Sequence, residues 1–301
     1  MRFESRQVWP GETCEFVSAH HSARLLTMST LVCFHAHPDD EAITTGGLMR
    51  KASDAGHDVV LVVATRGENG EVQPETLKSG EQLSERRVAE VSESARILGA
   101  KPPIFLGYED SGMMGEDSNE NPACFWKANI EEAAGQLAAV LTEVNADIVT
   151  IYDQHGLYGH PDHIQVHRVG LAAARIAGIE NVFEATVNRA EVAKNIVDLR
   201  ARIEASGGDA SELPGQDELE EFGVAHEDLA YVVDVSNQVN AKRASLRAHK
   251  SQVSEQSLFL DTSDEEFALM FGQEWFGIPG RTGTGGPQQV DFLPGLNNTK
   301  K

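Results

Sequence analysis

LVCFHAHPDDE, residues 31–41, passes from apolar, β-prone side chains straight into a crowd of imidazoles and carboxylates. Leu31 to Phe34 reads as a short buried strand, and apolar spacing predicts a helix from about Thr44 to Ala55. The next run, HDVVLVVA at 57–64, is almost continuously apolar, as strands are when both sheet faces are covered. Helical spacing follows over Gly80 to Leu98 and stops at Gly99, a residue suited to ending a helix. Ile104–Leu106 reads as a third strand, Trp126–Val144 as a helix, Asp147–Tyr152 (DIVTIY) as a fourth strand and Pro161–Ile176 as its helix. This alternation predicts an α/β fold: a Rossmann-like, mostly parallel sheet with helices on both faces. Ligands of such sheets bind beyond the carboxyl ends of the strands. The 35–41 stretch, the 66–71 and 107–115 loops and a second cluster at 160–163 all fall at such ends, so four loops should converge on one crevice.

Further along, 206–228 is rich in Gly, Ser, Asp and Glu and reads as an exposed loop, its acidic run Asp217–Glu221 included. Leu229–Val235 is a candidate strand and Val239–Val253 a helix, giving a smaller C-terminal α/β portion. The expected organisation is an N-terminal extension at 1–28, a catalytic core at 29–180 and a part completing fold and pocket at 181–279. From 280 to 301 Gly, Pro, Thr and Asn predict a mobile tail. Gly46-Gly47 lacks the spacing of a dinucleotide fingerprint.

Composition narrows the partners. Of 301 residues 41% are hydrophobic and 24% charged, a balance typical of soluble globular chains. The net charge of -22, from 47 acidic against 25 basic residues, repels phosphate backbones, so nucleic acid and anionic membrane surfaces are not expected partners. Cys14, Cys33 and Cys124 show no CxxC spacing, which argues against a disulfide framework and a thiolate metal site. No apolar run approaches the ~20 residues of a membrane span, and 1–28 does not read as a signal peptide, so cytoplasm is the expected compartment. Oligomeric state is not read from the sequence.

The chemistry lies in the two clusters, His37-Pro38-Asp39-Asp40-Glu41 and His160-Pro161-Asp162-His163. Pro38 and Pro161 each suit the first turn of a helix, and acids there suit its dipole. Capping alone accounts for the acids of the first cluster, but not for His37 or for the recurrence of the pattern. His37, Asp40 and His163 make a two-histidine, one-carboxylate set that leaves a position for water, as catalytic zinc sites do. Zinc lowers the pKa of such a water to about 7. Asp39 is placed to take the water proton. His160, as an imidazolium, would stabilise the oxyanion or protonate the leaving amine, with Asp162 orienting it and the Tyr158 hydroxyl adding a donor. His35 reads as a supporting or packing residue, and His167 follows His163 by one helical turn; His155, His20 and His21 have no spacing argument.

These residues resemble the PIG-L/LmbE-like family of zinc-dependent N-acetylglucosamine deacetylases, through AHPDDE at 36–41 and HPDH at 160–163. Supporting matches are the glycine turn at 66–71, Arg87-Val88-Ala89-Glu90, Asp110-Ser111-Gly112-Met113 and, more weakly, Leu246-Arg247-Ala248-His249. The mycothiol branch is most similar, with its GlcNAc-inositol deacetylase and its mycothiol S-conjugate amidase. The resemblance implies zinc, with ferrous iron as an alternative, on His37, Asp40 and His163. It also implies Asp39 as base, His160 as electrophilic partner, and Glu71, Arg87 and Asp110 on the hydroxyls of a small amino-sugar conjugate. Family members commonly have two glycines and a tyrosine before the second cluster, whereas Gly156 and Leu157 precede Tyr158 here. A non-haem iron oxygenase shares the ligand set but has no use for Asp39 and His160; a non-catalytic sugar-binding protein is the remaining alternative.

Overall fold

The computed structural model describes residues 28–296 apart from 206, 208, 212, 214 and 258. Its first half runs β1 (Thr30–His35), α1 (Asp40–Thr44), α2 (Gly46–Asp54), β2 (Asp58–Val63), α3 (Leu83–Leu98), β3 (Ile104–Phe105), α4 (Ile130–Glu143) and β4 (Ile148–Tyr152). A kinked turn α5 (Gly156–Gly159), α6 (Pro161–Ala177), β5 (Asn181–Thr186), α7 (Arg189–Ala205) and α8 (Gln216–Glu220) follow. The chain closes with β6 (Tyr231–Asp234), α9 (Val239–Ala248), α10 (Asp264–Phe271), β7 (Gln273–Gly277) and β8 (Gln288–Val290).

All eight strands form one sheet in the order β3-β2-β1-β4-β5-β7-β6-β8. The five from β3 to β5 are parallel, β7 is antiparallel to both neighbours, and β8 joins β6 in parallel. The α/β expectation therefore holds, and the C-terminal portion extends the same sheet. Strand alternation divides the core. Val32, Phe34, Val60 and Val62 pack with Leu137, Leu141, Val166 and Val169 of α4 and α6, while Leu31, Cys33, Leu61 and Val63 pack with Leu48, Met49, Val91 and Leu98 of α2 and α3. Each buried side chain of that size contributes about 1.5–3 kcal/mol. β1 pairs with β2 on one side and β4 on the other, so chain order reverses between β1 and β4. That reversal opens a crevice at their carboxyl ends.

Several boundaries differ from expectation. The helix expected over 44–55 starts at Asp40 and breaks into two at Thr45. The helix expected from Trp126 begins at Ile130, where the Asn129 side chain caps it, and α9 stops at Ala248. The 206–228 loop contains α8. Where a mobile tail was expected from 280, the chain lays β8 along β6 and buries Leu293 and Leu296 against the core, apolar contacts that a Gly- and Pro-rich composition conceals. Of the expected N-terminal extension only Met28 is described; Cys14, His20 and His21 lie outside the described residues. No helix among the described residues is long and apolar enough to cross a membrane.

Candidate active site

The turn after β1 ends on Asp39, which caps α1 at φ 114° and ψ -28°. Side chains avoid this left-handed backbone, at a cost of roughly 1–3 kcal/mol, and it persists where the surroundings enforce it. Pro38 consequently precedes the cap instead of occupying the first helical turn. The Asp39 N–H donates to Glu41 Oε2 at 3.0 Å, and Arg87 Nη2 donates to Pro38 O at 2.6 Å and Asp39 Oδ2 at 3.2 Å. Burial pushes the Asp39 carboxyl up to about 6, with Arg87 opposing the shift and Asp40 reinforcing it.

The turn after β4 passes through Gly156 at φ 64° and Leu157 at φ 67°. A Cβ on Gly156 would fall 2.7 Å from His163 Cβ, so this approach to α6 needs glycine as well as the positive φ. His160 caps α6, and its Nδ1 accepts the Asp162 N–H at 3.1 Å. The neutral ring therefore carries its proton on Nε2. Burial, together with His37 and His163, pushes His160 down to about 3, which replaces the expected imidazolium with a neutral N–H donor. Nor does the Asp162 carboxylate orient His160. It accepts the backbone N–H (2.9 Å) and the hydroxyl of Ser111, and lies 3.2 Å from His37 Nε2.

Between the two turns, Asp40 Oδ2 lies 3.4 Å from His37 Nδ1, and Asp40 Oδ1 lies 3.4 Å from His163 Nε2. His37 Nε2 is also 3.5 Å from Asp110 Oδ1. Burial alone would lower His37, but Asp110, Asp162 and Asp40 around it hold its ring well above the usual range. Such a field favours a cation. Both nitrogens of the fully buried His163 have no hydrogen-bond partner among the described residues, a cost that a metal bond removes at one of them. Two groups of described residues, His37-His160-His163 and His37-Asp110-Asp162, bring one liganding atom from each member within 4.8 Å of the others, and Asp40 belongs to neither. In these groups His160 Nδ1 is engaged by Asp162 N, which leaves Nε2, and Asp110 and Asp162 accept backbone N–H groups, as Asp40 also does from His37 N at 2.8 Å. What sets Asp40 apart is that, of the three carboxylates, it faces both His37 and His163. The donors present fit a divalent cation.

The remaining candidates separate by exposure. Tyr158 stands at the rim, 42% exposed, its ring 5.0 Å from that of His163. Glu71 is exposed, whereas Arg87 and Asp110 are buried, with Arg87 held on Asp39, Pro38 and Gly67. His35 bridges the Tyr152 hydroxyl (2.7 Å) and Thr45 Oγ1 (2.8 Å). His167 is turned away from the other histidines, its Nδ1 facing Tyr152 O at 3.0 Å and Glu184 Oε1 at 3.3 Å. Sequence reasoning missed Ser111 as a partner of Asp162, and it missed the buried pair of His249 with Glu41. His249 Nε2 lies 2.7 Å from Glu41 Oε1, close enough to outweigh burial, lowering Glu41 and raising His249. Its one advance signal was the matched stretch Leu246–His249.

Residues 32–174 match the PIG-L model of GlcNAc-PI de-N-acetylases. Two curated relatives carry the name 1D-myo-inositol 2-acetamido-2-deoxy-alpha-D-glucopyranoside deacetylase. That of Thermomonospora curvata is 37% identical, covering 87% of this chain and 96% of its own. That of Streptomyces avermitilis is 35% identical, covering 88% and 97%. Among solved structures, N,N'-diacetylchitobiose deacetylase from Pyrococcus horikoshii shares the fold at a TM-score of 0.52, with 24% identity and 84% of each chain covered.

Proposed function

The chain belongs to the PIG-L family of GlcNAc-PI de-N-acetylases, and on that premise we propose that it hydrolyses the N-acetyl group of a glucosamine conjugate, GlcNAc-inositol foremost. The observation that carries this reading is the meeting of His37, Asp40 and His163 beside the enforced Asp39 turn. The relatives, similar over nearly their whole length, favour the inositol conjugate by their names.

His37 Nδ1, Asp40 and His163 Nε2 are the ligands we assign. A divalent cation held there, zinc first and ferrous iron second, would supply Lewis-acid polarisation and lower the pKa of a water toward about 7. Asp39 takes a proton from the attacking water as oxygen bonds to the acetyl carbon; a carboxyl held near neutrality suits a general base. The His160 Nε2–H donates to the carbonyl oxygen as charge gathers there, and Tyr158 stands close enough to add its hydroxyl. Asp39 then returns the proton to nitrogen as the C–N bond breaks, releasing acetate and the free amine. Asp110 and Asp162 orient His37 by engaging its Nε2, a role that buried partners of metal-bound histidines commonly fill. With Arg87 and Asp110 so engaged, Glu71 is the residue of the three we assign to a substrate hydroxyl.

The test is free-amine release from GlcNAc-inositol, chitooligosaccharides and mycothiol S-conjugates, before and after chelation and re-addition of zinc or ferrous iron. Preference for GlcNAc-inositol with metal-restored activity is the expected result. Preference for the conjugates reassigns the chain to the amidase branch, and no turnover of any member overturns the reading.

A further inference from the structure

We propose that His249 is a positioning residue for Asp39, acting through Glu41, so that the C-terminal portion of the chain completes the catalytic turn. This rests on the reading of Asp39 as the base. Glu41 and His249 are both fully buried, and they sit 208 positions apart in sequence. One oxygen of Glu41 receives His249 Nε2 at 2.7 Å and Ser94 Oγ at 2.5 Å; the other receives the Asp39 N–H at 3.0 Å. The His249 ring has no second polar contact, since its Nδ1 is unpartnered among the described residues. Whatever the ring contributes through hydrogen bonding therefore passes through Glu41.

The consequence follows from the Asp39 backbone. A side-chain-bearing residue stays at φ 114° only while its surroundings over-determine it, and the Glu41 carboxylate holds the N–H side of that peptide. Without His249, the buried Glu41 carboxylate keeps only the Ser94 hydroxyl and the Asp39 N–H, and an under-compensated buried charge reorients toward other donors. That reorientation loosens the hold on the Asp39 N–H. Arg87 still grips Oδ2, so Asp39 is displaced rather than lost. The loop that carries His249 is anchored separately: Ser251 donates its N–H and hydroxyl to Glu90 at 3.0 and 2.6 Å, and Gln73 N donates to Ser251 O at 2.9 Å. Removing the ring therefore leaves the loop in place.

The experiment uses the full chain loaded with zinc, with acetate release, bound metal and thermal melting measured on each variant. His249→Leu should lower kcat about 10²-fold, the scale of a small misplacement of a catalytic group, with KM and bound metal unchanged. His249→Gln, whose amide reaches Glu41, should recover most of that loss. Should Leu leave too little folded protein, His249→Asn, polar but too short, takes its place against Gln. A kcat within about threefold of wild type in His249→Leu, beside an inactive Asp39→Asn, overturns this inference alone. So does a loss of kcat, KM and metal together that Gln does not relieve. An inactive wild type, or an active Asp39→Asn, overturns the assignment of the base and the inference with it.

Discussion

His-Pro-Asp occurs at 37–39 and again at 160–162, each time between a strand of the central sheet and a helix, yet the helix begins at a different letter. In the first turn Asp39 is the cap and α1 starts at Asp40. In the second, His160 is the cap and Pro161 opens α6, so Asp162 lies within the first helical turn. A two-residue change of phase sends the same tripeptide to different tasks. Asp39 is left outside the helix, half-buried, on an enforced backbone beside Asp40. Asp162 is fully buried, with both oxygens committed to Ser111 and one of them also facing His37. The first turn exposes an acid to reaction; the second withdraws one into support.

If that contrast is right, the two aspartates fail differently. Asp39→Asn should lower kcat about 10²–10⁴-fold, the usual contribution of a general base, with metal content unchanged, as steady-state acetate release and metal analysis will show. Asp162→Asn should weaken metal binding about 10–100-fold, measured by competition with a chromophoric chelator, and should spare kcat once the site is saturated. An Asp162→Asn enzyme that binds metal normally but turns over as slowly as Asp39→Asn would erase the distinction.

This phase was not legible in the sequence. Both turns carry the same helix-start signals, and what separates them is largely tertiary: Arg87 on Asp39 in one, with Glu41 two residues along, and Ser111 on Asp162 in the other. The gathering of His37, Asp40, His160 and His163 was legible, because β1 and β4 are mostly apolar runs that announce their ends. In the C-terminal part of the sheet only β6 was, as the Leu229–Val235 run. β5 carries Asn181 and Glu184, and β7 carries Glu274, which reads as a surface residue. It is in fact buried, taking Lys242 Nζ at 2.6 Å and the N–H groups of Gly47 and Leu48 at the start of α2. A carboxylate paired 32 positions away and bonded to backbone more than 200 positions away has no local pattern, and the same holds for His249 on Glu41.

The second turn also differs in what lies behind it. One helical turn below His163, His167 faces Glu184, which burial and the charge of Asp153 push up to about 7 from an ordinary 4.5. The raised carboxyl means that the folded state holds a proton the unfolded chain has released. Its contribution is most favourable below 4.5 and declines as pH rises through the window up to about 7. Glu184→Gln should therefore stabilise the protein on the order of 2 kcal/mol at pH 8 and scarcely at pH 4.5, by denaturant melts at both values. An equal gain at both would mean that Glu184 is not held protonated behind α6.

The smallest expected effect isolates the backbone itself. At each aspartate, glycine and alanine both remove the carboxylate, so the difference in stability between the two variants reports conformation. At position 39 the backbone lies where alanine is strained and glycine is not, so Asp39→Gly should be the more stable of its pair by about 1 kcal/mol. At position 162 the backbone is helical, and the order should invert: Asp162→Gly should be the less stable by roughly 0.5 kcal/mol. Both position-39 variants should be inactive, which separates the acid from the conformation that presents it. Chemical denaturation of the four proteins in matched buffer resolves the sign. Glycine losing to alanine at both positions would mean that Asp39 relaxes into an ordinary helical cap, and the two turns would then differ only in their neighbours.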